Sequence, residues 1–287
     1  MTAISDLLRV DPDQVDLGAI DPRGTPGLPE EKAVRKDPKQ WSRDEFAEVS
    51  KRLATYQEQL YALAKTNGDR RRVLLVLQSV DCGGKDGTTK HVAGAMNPAG
   101  VTVVSFGPPT VEERRHHFLW RIKNALPGYG RVGVFNRSHY EDVLVVRVHG
   151  LVGRRTWQGR YDQINRFEKE LVDDGCRLVK VVLRISQEEQ LQRLGDRLAD
   201  PAKHWKYNPG DIDERARWDD YQEAYAEVLR RCSTEHAPWY VVPADRKWYR
   251  NWAVAHLLLE TFASMGLRYP EVDFDLAAER KRVNALE

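Results

Sequence analysis

From Ser42 onward the apolar residues fall at helical spacing. Phe46, Val49, Leu53, Tyr56, Leu60 and Leu63 recur every three or four positions, which sets them on one buried face. "SRDE" predicts a capping box at the start, with Glu45 three residues after Ser42, and "NGDRR" predicts the end. The pattern then changes to short unbroken apolar runs. Val73 to Leu77 has the length of a strand buried on both faces, followed by a glycine-rich loop and a helix toward Met96. "NPAG" turns the chain into a second run, Val101 to Phe106. Pro108 and Pro109 interrupt it, and "TVEE" predicts a capping box opening a helix from Thr110 to about Leu126. "PGYG" leads into a third strand, Val132 to Phe135, and another helix. Strands at 177–185 and 239–242, with helices at about 187–198, 212–231 and 246–264, complete the series. This alternation predicts an α/β fold with a parallel sheet covered on both faces. Residues 1 to about 40 carry Pro, Gly and charge without sustained periodicity and predict a loosely structured arm. No internal repeat is present.

In such a sheet ligands bind at the carboxyl ends of the strands, and two loops there carry unusual residues. The first, "SVDCGGKDGTTK", departs from the common phosphate loop G-x-x-x-x-G-K-[ST]. Ser79 stands where the first glycine belongs, and Asp86 follows the lysine. Gly83, Gly84 and Gly87 let the backbone curl around an anion with its N–H groups inward, and the following helix adds the positive end of its dipole. Lys85 reaches phosphate oxygens as a point charge, and Thr88 or Thr89 offers a hydroxyl. A carboxylate in an anion site needs a cation between, so Asp81 is read as a Mg²⁺ ligand or an orienter of Mg²⁺-bound water. Asp86 is expected to face solvent. The bland alternative is a strand-to-helix turn whose glycines merely permit tight packing.

The second loop, "GVFNRSHYEDVL", ends its strand in Asn136 and Arg137. Arg137 suits bidentate pairing with phosphate oxygens. Glu141 either supplies the carboxylate that Asn136 lacks or closes a capping box with Ser138; both readings stand. A third region, "RLGDRLADPAKHWKYNPGD", places Arg193 and Arg197 on one helix face. Pro201 ends the helix, and Lys203, His204 and Lys206 follow in a segment that reads as a lid or as an ordinary charged loop.

Composition narrows the class. At 287 residues with 41% hydrophobic and 31% charged positions, the chain is an ordinary globular protein, and no apolar run is long enough to span a bilayer. The N-terminus lacks a secretory signal pattern. Cys82, Cys176 and Cys232 are widely spaced, suggesting neither a disulfide framework nor a zinc site, and the histidines show no metal-binding spacing. The cytoplasm is the expected compartment. A net charge of +2 argues for no acidic partner by itself. The basic runs at 112–123 and 193–207, beside a phosphate loop, point instead to a polyanion. Neither nucleic acid nor a membrane is expected as a partner.

Taken together, "DCGGKDGTTKH", "FGPPTVEERRHHFLWR", "FNRSHYEDVL", "RLADPAKHWKYNPGDIDERARWDDYQEAYAEVL" and "PWYVVPADRKWYRNWAV" resemble the polyphosphate kinase 2 family, over nearly the whole chain from about Trp41 to Phe262. The resemblance implies a three-layer, thymidylate-kinase-like P-loop kinase domain at 41–265 with a helical lid at about 199–212. An arm at 1–40 and a tail at 266–287 flank it. It implies reversible, Mg²⁺-dependent phosphoryl transfer between inorganic polyphosphate and adenine nucleotides, with guanine nucleotides as further candidates, in a homo-oligomer. By position it puts Asp81 near the metal, Lys85 on the reacting phosphates and Arg137 in the second motif. Asp81, Lys85, Arg137 and Glu141 are the expected catalytic residues, and Gly83, Gly84, Gly87, Thr88 and Asn136 the expected nucleotide- and phosphate-binding ones. Lys90, Arg193, Arg197, Lys203 and Lys206 resemble residues flanking a polyphosphate channel. Many members carry Asp-Arg where this chain has Asn136-Arg137; with Glu141, this resembles the branch acting on both AMP and ADP. An anionic terminal phosphate needs no strong general base, in keeping with the lack of any Ser-His-Asp arrangement. Two other classes share some features: an ATP-dependent small-molecule kinase and a non-catalytic polyphosphate-binding protein.

Overall fold

In the computed structural model, which describes residues 2–286, five parallel strands form one sheet. They are β1 (Arg72–Gln78), β2 (Val101–Ser105), β3 (Val132–Asn136), β4 (Cys176–Arg184) and β5 (Trp239–Pro243), in the order β2-β3-β1-β4-β5. Every residue of β1 is buried because both faces of the central strand are covered. Its alternate side chains enter different cores. Val73, Leu75 and Leu77 pack with the helices Pro38–Asn67 and Lys247–Ser264, while Leu74 and Val76 pack with Arg154–Asp173 and Trp218–Cys232. Each such buried side chain contributes about 1.5–3 kcal/mol, so β1 is the best-anchored platform for a loop at its carboxyl end.

The first helix begins at Pro38 rather than Ser42. Asp37 caps it, accepting from the Gln40 N–H at 2.9 Å, and proline at the first position is already set to the helical angle. Ser42 lies buried inside the helix, its hydroxyl donating to the Lys39 carbonyl. The helix ends at Gly68, as the sequence leads one to expect, in a left-handed conformation (φ 66°).

Two long helices read from the sequence are interrupted. The Thr110 capping box forms reciprocally, with N–H to carboxylate at 2.7 Å and N–H to hydroxyl at 3.2 Å. It supports only a single turn, Glu113–Arg115, before the chain straightens at His116. The His117 ring accepts from the Leu119 N–H and bonds Gln163 at 2.8 Å, which starts the separate helix Trp120–Asn124. The span 212–231 divides into Gly210–Arg215 and Trp218–Cys232, where Glu214 turns toward His149 and Tyr221.

The N-terminal segment has little regular structure, but it is not loose. Ile4, Leu8, Leu17 and Val34 are buried. The Ile4 and Ser5 N–H groups donate to the Glu260 carboxylate at 2.8 and 2.9 Å. Val10 donates to the Trp239 carbonyl, Arg9 forms an antiparallel bridge with Tyr240, and Tyr249 donates to the Pro26 carbonyl. Isolated apolar residues among prolines and glycines give no periodic signal, yet the segment 4–10 finds its place along the β5 edge and the last long helix. No helix among the described residues is long and apolar enough to cross a membrane.

Candidate active site

The glycine loop leaves β1 at the centre of the sheet. The Ser79 hydroxyl donates to the Leu183 carbonyl at 2.8 Å, locking the strand end to β4. A β-carbon on Gly83 would lie 1.6 Å from that same hydroxyl oxygen, so the serine fills the space that only a glycine at 83 leaves open. The chain then turns through Cys82 (φ 61°) and Gly84 (φ 102°) into the helix Lys85–Ala93. Lys85 is buried, and its ammonium donates to the Ser79 and Val80 carbonyls at 2.8 and 3.2 Å. Burial, and then the Arg137 charge, lower its pKa. Asp86 is exposed but does not simply face solvent. Its carboxylate accepts from the Asn136 side-chain amide at 2.5 Å, tying the helix Lys85–Ala93 to the end of β3.

Beyond Asn136 the backbone passes through Arg137 at φ 64°, a costly conformation for a side chain of this size. The turn is held from below. Gln78 donates to Ser138 at 3.1 Å, and Ser138 caps the next turn through the Tyr140 N–H. His139 and Tyr140 descend into a fully buried network, where Lys180 meets Glu168 at 2.6 Å, Tyr140 at 3.0 Å and the Cys232 carbonyl at 2.7 Å. Tyr140 and His139 both reach Glu168 as well. This network fixes the segment that aims Arg137 upward.

Arg137 and Asp81 form an ion pair at 2.8 Å, and on either side of it lies a cavity. The first, about 350 Å³, is walled by the glycine loop and a ring of cations: Lys85, Arg137, Arg197, Lys203, Lys206 and Lys247. The second, about 280 Å³, is walled by aromatic and acidic side chains, among them Trp218, Tyr221, Tyr225, Glu141, Asp211 and Glu214. Asp81 and Arg137 line both. Burial would lower the Arg137 pKa, but the Glu141 and Asp81 carboxylates outweigh it and raise it. Burial pushes the Glu141 carboxyl up against the pull of Arg137 and Lys85, and burial followed by Asp81 raises Asp211.

Most of the residues singled out from the sequence converge. Asp81, Gly83, Gly84, Lys85, Gly87, Asn136, Arg137, Arg193, Arg197, Lys203 and Lys206 all line the basic cavity, and Glu141 lines its neighbour. Glu141 does not close the box with Ser138; it faces Arg137 and Lys85. Thr88 is wholly buried and Lys90 is exposed on the outer side of its helix, and neither lines a cavity. Arg193 lines the wall, yet its guanidinium serves the main chain. It donates to Cys82 at 2.9 Å and to the Ala244 and Asp245 carbonyls at 2.6 and 3.1 Å, with Glu189 as counterion. Arg197 holds the segment that follows its helix, through the Lys206 carbonyl and Asp211. Lys247 and the aromatic wall of the second cavity went unseen in the sequence, because their only signal is proximity in the fold.

The arrangement suits a divalent cation in one particular way. No cluster of three or more ligating side chains occurs among the described residues. Asp81, Asp86 and Asp196 line the first cavity, and of these Asp81 also lines the second; it is about a quarter exposed, with Oδ1 engaged by Arg137. One carboxylate completed by substrate phosphates and water is a common mode of holding Mg²⁺.

Residues 40–269 match the family described as "Polyphosphate kinase 2". The "AMP/ADP-polyphosphate phosphotransferase" of Meiothermus ruber is 46% identical over 264 residues, covering 92% of this chain and 94% of that protein. The "ADP-polyphosphate phosphotransferase" of Rhodopseudomonas palustris is 40% identical over 254 residues, covering 83% and 86%. The crystal structure of polyphosphate kinase 2 from Arthrobacter aurescens superimposes with a TM-score of 0.94 at 46% identity, over 99% of this chain and 97% of that one.

Proposed function

The chain belongs to the polyphosphate kinase 2 family, and on that premise we propose that it transfers a phosphoryl group from inorganic polyphosphate to AMP and to ADP, reversibly and with Mg²⁺. One observation carries this reading: two cavities of opposite character share the Asp81–Arg137 pair. The cation-lined cavity suits a dense polyanion, which a basic channel attracts and aligns. The aromatic and acidic cavity suits a nucleoside, which it can stack and hydrogen-bond, and its carboxylates disfavour a second polyphosphate there.

A phosphate of AMP or ADP directed from the second cavity toward the shared pair would meet the terminal phosphate of the donor lying on the glycine loop. Phosphoryl transfer needs positioning and charge neutralisation more than covalent assistance. The loop N–H groups and Lys85 neutralise the transferring group, and Arg137 serves both substrates because it faces both cavities. Bound by Asp81 and phosphate oxygens, Mg²⁺ would supply further charge neutralisation. Glu141 lines the second cavity and its carboxylate helps hold the charge on Arg137; the resemblance of Asn136-Arg137 with Glu141 to the branch acting on both nucleotides carries the expectation that AMP is used as well as ADP. The three cysteines are free and buried, which accords with the reducing cytoplasm as the compartment.

The test is nucleotide formation by purified protein with polyphosphate and Mg²⁺, supplied with AMP, ADP, GMP or GDP separately. ADP from AMP and ATP from ADP are expected. No product with any acceptor overturns the reading, and phosphorylation of nucleosides driven by ATP would favour a conventional kinase instead.

A further inference from the structure

Behind the glycine loop lies a residue to which neither its sequence pattern nor the cavities assign a role. Arg250, in the first turn of the helix Lys247–Ser264, is 3% exposed. Its guanidinium lies directly against the loop. A β-carbon on Gly84 would fall 1.8 Å from Arg250 Nη1, and one on Gly87 3.1 Å from Nη2. Among the described residues it donates only to the Asn251 side-chain oxygen, at 3.1 and 2.8 Å, and it has no carboxylate partner. The charge nearest to it is another cation, Arg193, itself bonded to the loop at Cys82. Burial, then Arg193, lower the Arg250 pKa to about 10. Burial, then Arg250, hold His91 toward its neutral form.

A buried cation set beside another cation, without an anion, is unfavourable in the folded chain. That cost is relieved when an anion settles on the other side of the loop. We propose that Arg250 is a positioning residue for the phosphate donor: a fixed positive charge under Gly84 and Gly87 that strengthens the hold of the loop on polyphosphate without touching it. The glycines make this arrangement possible, since the guanidinium fills the places their β-carbons would take. Arg250 therefore destabilises the free protein and stabilises the complex. The inference rests on polyphosphate occupying the loop.

The experiment compares wild type, R250K and R250M by thermal unfolding, with and without polyphosphate, and by steady-state kinetics with each substrate varied in turn. R250M is expected to melt at or above the wild-type temperature when free and to gain less from added polyphosphate. Its KM for polyphosphate should rise about tenfold, the scale of removing one charge a few ångströms behind a bound anion at intermediate dielectric. KM for the nucleotide should stay within about twofold of wild type by the same reasoning, because the second cavity lies beyond the Asp81–Arg137 pair. R250K, retaining the charge, should recover most of the polyphosphate affinity. An unchanged polyphosphate KM in R250M overturns the proposal. So does a free R250M that melts well below wild type or fails to fold, or an R250K no better than R250M, since each makes Arg250 a packing brace. A wild-type enzyme inert toward polyphosphate would instead be a failure of the functional reading itself.

Discussion

Replacing Gly83 by alanine tests how this loop does without its first glycine. The new β-carbon would lie 1.6 Å from Ser79 Oγ, 2.5 Å from Ser79 Cβ and 3.0 Å from the Val80 carbonyl. Rotating the hydroxyl away breaks its bond to Leu183, which costs about 1 kcal/mol. Rotation cannot move the Ser79 β-carbon, however, so the loop backbone must shift by about 1 Å to reach ordinary contact, a misplacement that typically costs about 10² in rate. We expect G83A to fold and to lose about two orders of magnitude in kcat/KM for polyphosphate. The double variant S79G/G83A removes both serine atoms and leaves only the Val80 contact, so it should recover at least about tenfold over the single variant. Nucleotide formation measured at varied polyphosphate, with circular dichroism and melting to check the fold, decides the matter. A G83A enzyme within threefold of wild type would refute the geometry, as would a double variant no better than the single.

Asp81→Asn should cut turnover by about 10² and raise the metal concentration needed for half-maximal rate; an unaltered metal dependence would remove Asp81 from the metal site. The pH profile should be narrowed from both sides. Burial raises the Glu141 pKa, so the ionised form is lost, as pH falls, earlier than for an ordinary carboxylate. Burial and Arg137 lower that of Lys85, so its charge is lost, as pH rises, sooner than for an ordinary lysine. In Lys85→Arg the alkaline limb should move up; an unmoved limb would assign it to another group. Lys180→Met strands the Glu168 carboxylate without exposure and should destabilise the protein by about 3–5 kcal/mol in urea unfolding. Lys180→Met with Glu168→Leu should recover part of that loss. Glu168 adds a pH signature, for although burial raises its pKa, Lys180 and His139 outweigh this and lower it. Its stabilising contribution is present above the unfolded carboxylate value and fades as pH falls through the folded one. A single Lys180→Met variant within 1 kcal/mol of wild type would show that the network does not carry the strained turn.

The strands and the two loops at the carboxyl ends of β1 and β3 were legible because their signals are local. Unbroken Val and Leu runs between turn residues leave little choice, and β1 to β5 lie within a residue or two of where the apolar runs place them. Helix starts were less legible. Asp37-Pro38 outcompetes Ser42 through proline's fixed angle, a preference invisible to hydrophobic spacing. The break at His116 is followed by a bond from the His117 ring to Gln163, 46 positions away, which no local pattern records. Within the site, residue types predicted the chemistry and the fold decided the roles. Arg193 reads as a channel residue by charge but spends its donors on loop carbonyls, while Arg250 carries its meaning only through nearness to Gly84. Asp86 has no motif-based role at all until Asn136 is seen to hold it.

The N-terminal arm gives the molecule an order in time. Ile4 donates to Glu260, 256 positions later, and its neighbours pair with Trp239 and Tyr240. Ile4 therefore has no such partner until Glu260 has been made, a wait of roughly 13–50 s at about 5–20 residues per second. The helix it closes upon is the one that brings Lys247 and Arg250 to the glycine loop. The Ile4–Glu260 bond can therefore close only after the glycine loop, Lys247 and Arg250 have all been made.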